Sequence, residues 1–218
     1  MSAALPQVKP ASLGKATVNK SSVLDSPRWV ELRKLEWTDE DGKDRLWEVA
    51  SRKTTSKGGI DAVAIAALLK HPSRPLSIPI ILQFRPPAGG ICVELPAGLI
   101  DESETPEVAA VRELLEETGY GGEAFEGRIK VVESGGTTPS DPGMTTANMK
   151  LVTIEVQLKE GEEEPKAQLD EGEHIEVRVT PLKELYAHLQ AYEKLGYHVD
   201  ARLHHYAAGI DIAHRYLS

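Results

Sequence analysis

At 218 residues the chain has room for one substantial core and one small appended module, and its formal net charge of −9 argues against a broad nucleic-acid or anionic-membrane footprint, which needs a basic face. Hydrophobic residues make up 40% and charged residues 27%, an ordinary globular balance, and no apolar run nears the roughly 20 residues that cross a bilayer. Cys92 is the single cysteine, which rules out a disulfide framework or a cysteine-based zinc site and points to a reducing compartment; the expectation is a cytoplasmic protein, with the nucleus as a further location.

Residues 1–26 read as a disordered tail, since the first 24 are rich in Ser, Ala and Pro and carry Lys9, Lys15 and Lys20 but no acid. A mitochondrial transit peptide is the sharper alternative, but such peptides are rich in arginine and none precedes Arg28. Residues 27–56 predict a small antiparallel β unit: "WVELRKLEW" and "RLWEVASR" flank "TDEDGKD", whose Asp41-Gly42 pair favours a tight hairpin turn. The main domain, over 57–218, opens with "DAVAIAALL", "IPIILQF" and "GICVEL". These apolar runs are too short for membrane spans and suit the buried strands of a central sheet. "RIKVVES", "MKLVTIEV" and "HIEVRV" predict further strands, separated by the long loops "GGTTPSDPGMTT" and "KEGEEEPKAQLDEGEH". Loops of that length inside a compact domain are usually functional or mobile, so substrate contacts are sought there. Helices are expected to begin near Pro181 and Asp200. The mixture of strands and helices predicts an α/β or α+β sandwich behind the small N-terminal unit.

Between the strands "GICVEL" and "RIKVVES" lies "PAGLIDESETPEVAAVRELLEETGYGG". Thr105 can cap a helix, Pro106 suits its first turn and Gly119 its end, which predicts a helix over 106–118. At about 100° per residue, Val108, Val111, Leu114 and Leu115 share one arc, while Glu113, Glu116 and Glu117 share the other side. Most charged stripes of this kind are solvated faces. Here the like charges repel at i, i+3 and i, i+4, and acids near a helix C-terminus oppose its dipole. A hard divalent cation that takes oxygen ligands, such as Mg²⁺ with Mn²⁺ as its substitute, relieves both penalties.

At Gly98, Glu104, Arg112, Glu113, Leu114, Glu116, Glu117 and Gly119 the stretch resembles the Nudix hydrolase signature, departing from it at Tyr120, where an aliphatic residue is usual. The resemblance implies a loop–helix–loop on a mixed sheet, in a Nudix-type α/β/α sandwich, and metal-assisted hydrolysis of a nucleoside diphosphate linked to another moiety. It implies that Glu113, Glu116 and Glu117, with the Ala97 carbonyl, hold the metal. Arg112 either touches substrate or, the reading its chemistry favours, orients a glutamate through a salt bridge.

The flanking segments "WVELRKLEW", "RLWEVASRKT", "SDPGM" and "DEGEHIEV" extend the likeness over about 28–215 and point to the ADP-ribose pyrophosphatase branch of that family. What this resemblance implies is Mg²⁺-dependent hydrolysis of ADP-ribose to AMP and ribose 5-phosphate by a metal-activated water. Trp29 and Trp47, from different subunits of a homodimer, would stack on the adenine and Glu48 would bond to its edge. Arg52 and Arg85 would hold the phosphates, Leu99 would border the substrate, Asp141 would face the terminal ribose, and Glu173, with Glu171 as competitor, would deprotonate the water. Each has a plainer reading from its own residue type: hairpin packing for the tryptophans, surface ion pairs for the arginines, a turn for Asp-Pro-Gly, and one more acid in an acidic loop for Glu173.

No Walker A, Gly-x-Ser-x-Gly, Gly-x-Gly-x-x-Gly or His-Glu-x-x-His pattern occurs, so ATPase, serine-hydrolase, dinucleotide-fold and zincin readings lack support. The rivals that remain are a pyrophosphatase for another nucleoside diphosphate sugar or an oxidised nucleoside diphosphate, and a sensor that binds ADP-ribose without cleaving it. The intact carboxylate set weighs against the sensor. A homodimer is expected because the N-terminal β unit is too small to close a pocket alone.

Overall fold

The structure, a computed structural model, describes residues 15–56 and 58–217, and these form two compact units, one of 15–54 with 139–147 and the other of 55–138 with 148–217. The first is a three-stranded antiparallel sheet of β1 (Thr17–Asp25), β2 (Val30–Thr38) and β3 (Asp44–Arg52). The β2–β3 hairpin turns where the sequence predicts. The Asp39 carboxylate accepts the N–H groups of Asp41 and Lys43 at 3.0 and 2.9 Å, and Gly42 takes φ +79°, a left-handed conformation that a side chain would strain.

β1 corrects the expectation of a tail over 1–26: Thr17–Asp25 pairs along the edge of β2, from Thr17 opposite Thr38 to Asp25 opposite Leu32. Average composition hides the β-branched Thr17, Val18 and Val23, and the strand they pair with is read only once the sheet is assembled. The rest of that expected tail, 1–14, lies outside the described residues. Segment 139–147 also joins this unit, since the Ala50 N–H donates to the Met144 carbonyl at 2.9 Å and the Thr146 N–H to the Ala50 carbonyl at 3.0 Å.

The remaining elements are β4 (Ala62–Lys70), β5 (Ser77–Arg85), β6 (Gly90–Glu94), β7 (Ala97–Leu99), α1 (Pro106–Thr118), β8 (Ile129–Ser134), β9 (Thr138–Pro139), β10 (Asn148–Gln157), β11 (Ile175–Pro181), α2 (Leu185–Lys194), β12 (His198–Val199) and α3 (Ala201–Tyr216). The main sheet runs β12-β6-β5-β4-β10-β8, with β7 also on β4 and β11 also on β5. It is mixed: β10 is parallel to β4 and β12 to β6, while β5–β6 and β8–β10 are antiparallel.

β4 shows why the unit has three layers. Val63, Ile65, Ala67 and Leu69 face a core shared with Ala109, Ala110 and Leu114 of α1, and Ala64 and Ala66 face a second core with Leu185 and Leu189 of α2 and Leu203 and Ala207 of α3. A strand buried on both faces must be apolar at every position, which is why "DAVAIAALL" does not alternate. α2 starts later than Pro181 because a 3₁₀ turn, Leu182–Glu184, comes first. α3 starts as expected, with the Asp200 carboxylate accepting the N–H groups of Arg202 at 2.9 Å and Leu203 at 3.3 Å.

Candidate active site

α1 has the predicted bounds and caps. The Thr105 hydroxyl accepts the Val108 N–H at 3.3 Å, and Gly119 closes the helix at φ +80°. Its buried face differs from the expected arc. Val108 is 55% exposed, whereas Ala109, Ala110, Leu114, Glu117 and Thr118 are buried. Ala110 and Glu117 stand seven residues, about two turns, apart, so the face that buries the alanines buries Glu117 as well.

The acidic residues therefore do not form a solvated stripe. Glu117 is 5% exposed and accepts the Ala97 N–H at 2.9 Å. Burial pushes its carboxyl up to about 8, and the charges of Glu113 and Glu173 push the same way against the opposing Ala97 N–H and Arg85. Burial also raises Glu113, whose side chain is 14% exposed, against the Arg112 guanidinium, with Glu116 and Glu173 adding to the rise. Gly98 on β7 makes room for this residue, because a Cβ there would lie 1.9 Å from the Glu113 carboxyl carbon.

Arg112 organises the outer part of the face. Its Nε and Nη2 each donate at 2.8 Å to the Glu104 carboxylate, Nη1 donates to Glu113 at 2.8 Å and to Glu116 at 3.0 Å, and Nη2 also reaches the Leu99 carbonyl at 3.1 Å. The bond to Arg112 holds the Glu104 carboxyl below its ordinary value. One planar fork thus serves three carboxylates, the geometry of an orienting ion pair.

Among the described residues no three His, Cys, Asp or Glu side chains converge as a metal-binding cluster, because Arg112 engages Glu113 and Glu116 while the Ala97 N–H engages Glu117. The donor chemistry nonetheless fits a hard divalent cation: three carboxylates from one helix, the backbone of Ala97 beside them, and a buried Glu117 whose ionised form a cation would favour. Glu173 lies in the loop before β11, in a turn where its N–H donates to the Asp170 carbonyl at 3.1 Å and its carboxylate accepts the Asp170 N–H at 3.3 Å. Its charge acts on both Glu113 and Glu117, and Glu171 is not among the leading charges there.

The expected base-recognition residues sit in the first unit. Trp29 is 60% exposed with the Arg28 guanidinium 4.4 Å over its ring. Trp47 is 48% exposed, packs edge-on to Trp37 at 6.4 Å and donates Nε1–H to the Gly143 carbonyl at 3.1 Å. Glu48 stands opposite Lys34, and Arg52 ends β3 opposite Val30. Asp141 shapes a turn, its carbonyl accepting the N–H groups of Met144 and Thr145 at 3.2 and 2.9 Å. Arg85, Leu99, Ala97, Arg112, Glu113, Glu116, Glu117 and Glu173 all belong to the second unit.

Comparison with known proteins bears on this face. A family model described as the NUDIX domain matches residues 61–202. This chain belongs to the Nudix hydrolase family. It is 40% identical to an ADP-ribose pyrophosphatase of Saccharomyces cerevisiae, covering 87% of this chain and 80% of that protein, and 34% identical to an ADP-sugar pyrophosphatase of Mus musculus, covering 94% and 90%. An uncharacterised Nudix hydrolase of Schizosaccharomyces pombe is 42% identical over 88% of this chain and 90% of its own length. A crystal structure of an ADP compounds hydrolase shares the fold, with a TM-score of 0.56 at 19% identity over 83% of this chain and 86% of that one. Nudix hydrolases generally need divalent metal ions, in keeping with the donor set on α1.

Two buried carboxylates of this Nudix hydrolase escaped the sequence reading. Asp61 accepts the Thr55 hydroxyl at 2.6 Å and the Asn148 N–H at 2.9 Å, and its own carbonyl accepts the Ile100 N–H at 3.1 Å, which fastens the end of β7. Glu94, 5% exposed, accepts both Nε and Nη2 of Arg85. The available signal was an acid inside an apolar strand run, which is rarely buried without a partner.

Proposed function

We propose that this Nudix hydrolase cleaves the diphosphate of ADP-ribose, with Mg²⁺ as its metal and Mn²⁺ able to substitute, giving AMP and ribose 5-phosphate in the cytoplasm. One observation carries the reading: a buried Glu117 beside Glu113 at the backbone of Ala97, with the charge of Glu173 acting on both. The names of the yeast and mouse relatives, ADP-ribose and ADP-sugar pyrophosphatase, support the substrate.

Glu113, Glu116, Glu117 and the Ala97 carbonyl would hold the metal, which when bound neutralises the diphosphate and polarises phosphorus toward attack. Arg112 keeps Glu113 and Glu116 in place through its Nη1 donors. Glu173 accepts a proton from the attacking water as general base. Arg85 and Arg52 engage phosphate oxygens as planar forks, Trp29 and Trp47 stack on adenine and Glu48 accepts from its exocyclic amine. Leu99 borders the substrate and Asp141 bonds to the terminal ribose. The protein acts as a homodimer; the exposed Val18, Leu24, Trp29, Leu46 and Trp47 of the three-stranded sheet support this. Light scattering checks it, a monomer mass at micromolar concentration being the contrary result.

The deciding experiment incubates the protein with ADP-ribose, with and without Mg²⁺, beside Glu117→Gln, and separates the products. AMP is expected only with metal, falling about a hundredfold in the variant. Faster turnover of GDP-mannose or 8-oxo-dGDP would move the substrate, and ADP-ribose bound but intact would make the protein a sensor.

A further inference from the structure

In the antiparallel β5–β6 pair, Arg85 stands opposite Gly90 and Glu94 opposite Ile81. The Arg85 guanidinium nevertheless reaches Glu94, passing the Gln83–Cys92 pair, and donates from Nε to Oε1 at 2.7 Å and from Nη2 to Oε2 at 2.9 Å. Cross-strand pairs ordinarily join residues directly opposite or one diagonal step apart, so strand pairing does not account for this bond. It lays the arginine along the sheet surface.

Glu94 is buried at 5% exposure, while the Arg85 side chain keeps 41%. Burying a carboxylate is unfavourable unless it is paired and hydrogen-bonded, and the partner here is a half-exposed guanidinium rather than a second buried group. The charge of Glu94 also acts on Arg202, which is clamped by Asp200 at 2.6 Å. Arg85 Nη1 donates to no group among the described residues, and the Arg85 charge acts on Glu117. A guanidinium carries five N–H donors. With Nε and Nη2 committed to Glu94, Nη1 keeps its N–H donors for the oxygens of an anion.

We propose that Glu94 is a positioning residue for diphosphate binding: it grips one edge of Arg85 so that the other edge is presented to the anion in a fixed orientation. The inference rests on the proposed function for the identity of that anion. Its effect is on binding, since Arg85 meets the diphosphate before and during reaction alike, so KM is expected to rise while kcat holds within about threefold.

The test is a double-mutant cycle read by calorimetry of ADP binding in metal-free buffer, where nothing is hydrolysed. Glu94→Gln is expected to weaken ADP about tenfold in the wild-type background and to change nothing on top of Arg85→Ala. Equal losses in both backgrounds, or no loss in either, would overturn the proposal, and so would tighter binding, which would mean that Glu94 sequesters Arg85. Arg85→Lys keeps the charge without the fork; it is expected to lose as much as Glu94→Gln, and wild-type affinity in it overturns the proposal even if Glu94→Gln does not fold. Turnover of ADP-ribose by the wild type is measured separately. Its absence overturns the proposed reaction, while the cycle on ADP still decides the role of Glu94.

Discussion

The Glu113 carboxylate occupies the place where a side chain at position 98 would stand: a Cβ on Gly98 would fall 1.9 Å from both Cδ and Oε1 of Glu113. At the other end of α1 the constraint is of a different kind. Gly119 has φ +80°, and a Cβ there would lie 2.4 Å from the Lys166 carbonyl oxygen. One glycine gives way to the tip of a flexible side chain and the other to fixed backbone.

Alanine at these two positions should therefore have opposite effects. Gly98→Ala is expected to fold and melt like the wild type but to lose activity about tenfold or more, since only Glu113 must move. Gly119→Ala is expected to lose at least about 1–2 kcal/mol of stability from left-handed strain alone, with the backbone contact adding to the loss. Thermal melts beside ADP-ribose turnover separate the two, and a Gly98→Ala protein with full activity would count against the role of Glu113.

Arg112→Lys keeps the charge but loses the fork that serves Glu104, Glu113, Glu116 and the Leu99 carbonyl. Activity is expected to fall about 10- to 100-fold, with more Mg²⁺ needed for half-maximal rate. A metal titration of both proteins checks this, and an unchanged metal requirement would contradict the orienting role.

Glu173→Gln is expected to lower kcat by about 10²-fold or more, as loss of a general base does. Glu171→Gln should stay within about threefold of wild type, since its charge is not prominent at Glu113 and Glu117. Steady-state kinetics on the pair decide between them, and the reverse pattern would transfer the role to Glu171.

Asp200 links pH to stability. Burial alone would raise its carboxyl, but bonds from the Arg202 guanidinium and from the Leu203 and Arg202 N–H groups bring it below its ordinary value of 3.8. A folded value below the unfolded one means that ionised Asp200 stabilises the fold above pH 3.8, and that this contribution is lost as pH falls below it. Asp200→Ala is expected to cost about 1 kcal/mol at neutral pH, as loss of an N-cap does. In urea melts the two proteins should converge in acid, and a difference that persists there would assign the effect to packing.

Local chemistry made much of this protein legible in its sequence. Thr105, Pro106 and Gly119 bound α1 as read, because capping and helix termination depend on residues within a turn of one another. The crowding of acids at Glu113, Glu116 and Glu117 was legible because their mutual repulsion is set by helical spacing alone. The apolar runs of β4, β5 and β6 announced the buried strands of a central sheet, and the Asp41-Gly42 pair announced the β2–β3 hairpin. Tertiary structure decided what depends on distant neighbours. Ala109 and Ala110, rather than Val108, face the sheet because close approach rewards small residues. β1 exists because β2 offers a strand edge to Thr17–Asp25. Glu117 owes its raised carboxyl to burial, which outweighs the opposing Ala97 N–H, and Arg85 its fixed edge to Glu94 on the neighbouring strand. Desolvation and ion pairing are properties of the assembled surroundings, and no spacing along the chain encodes them.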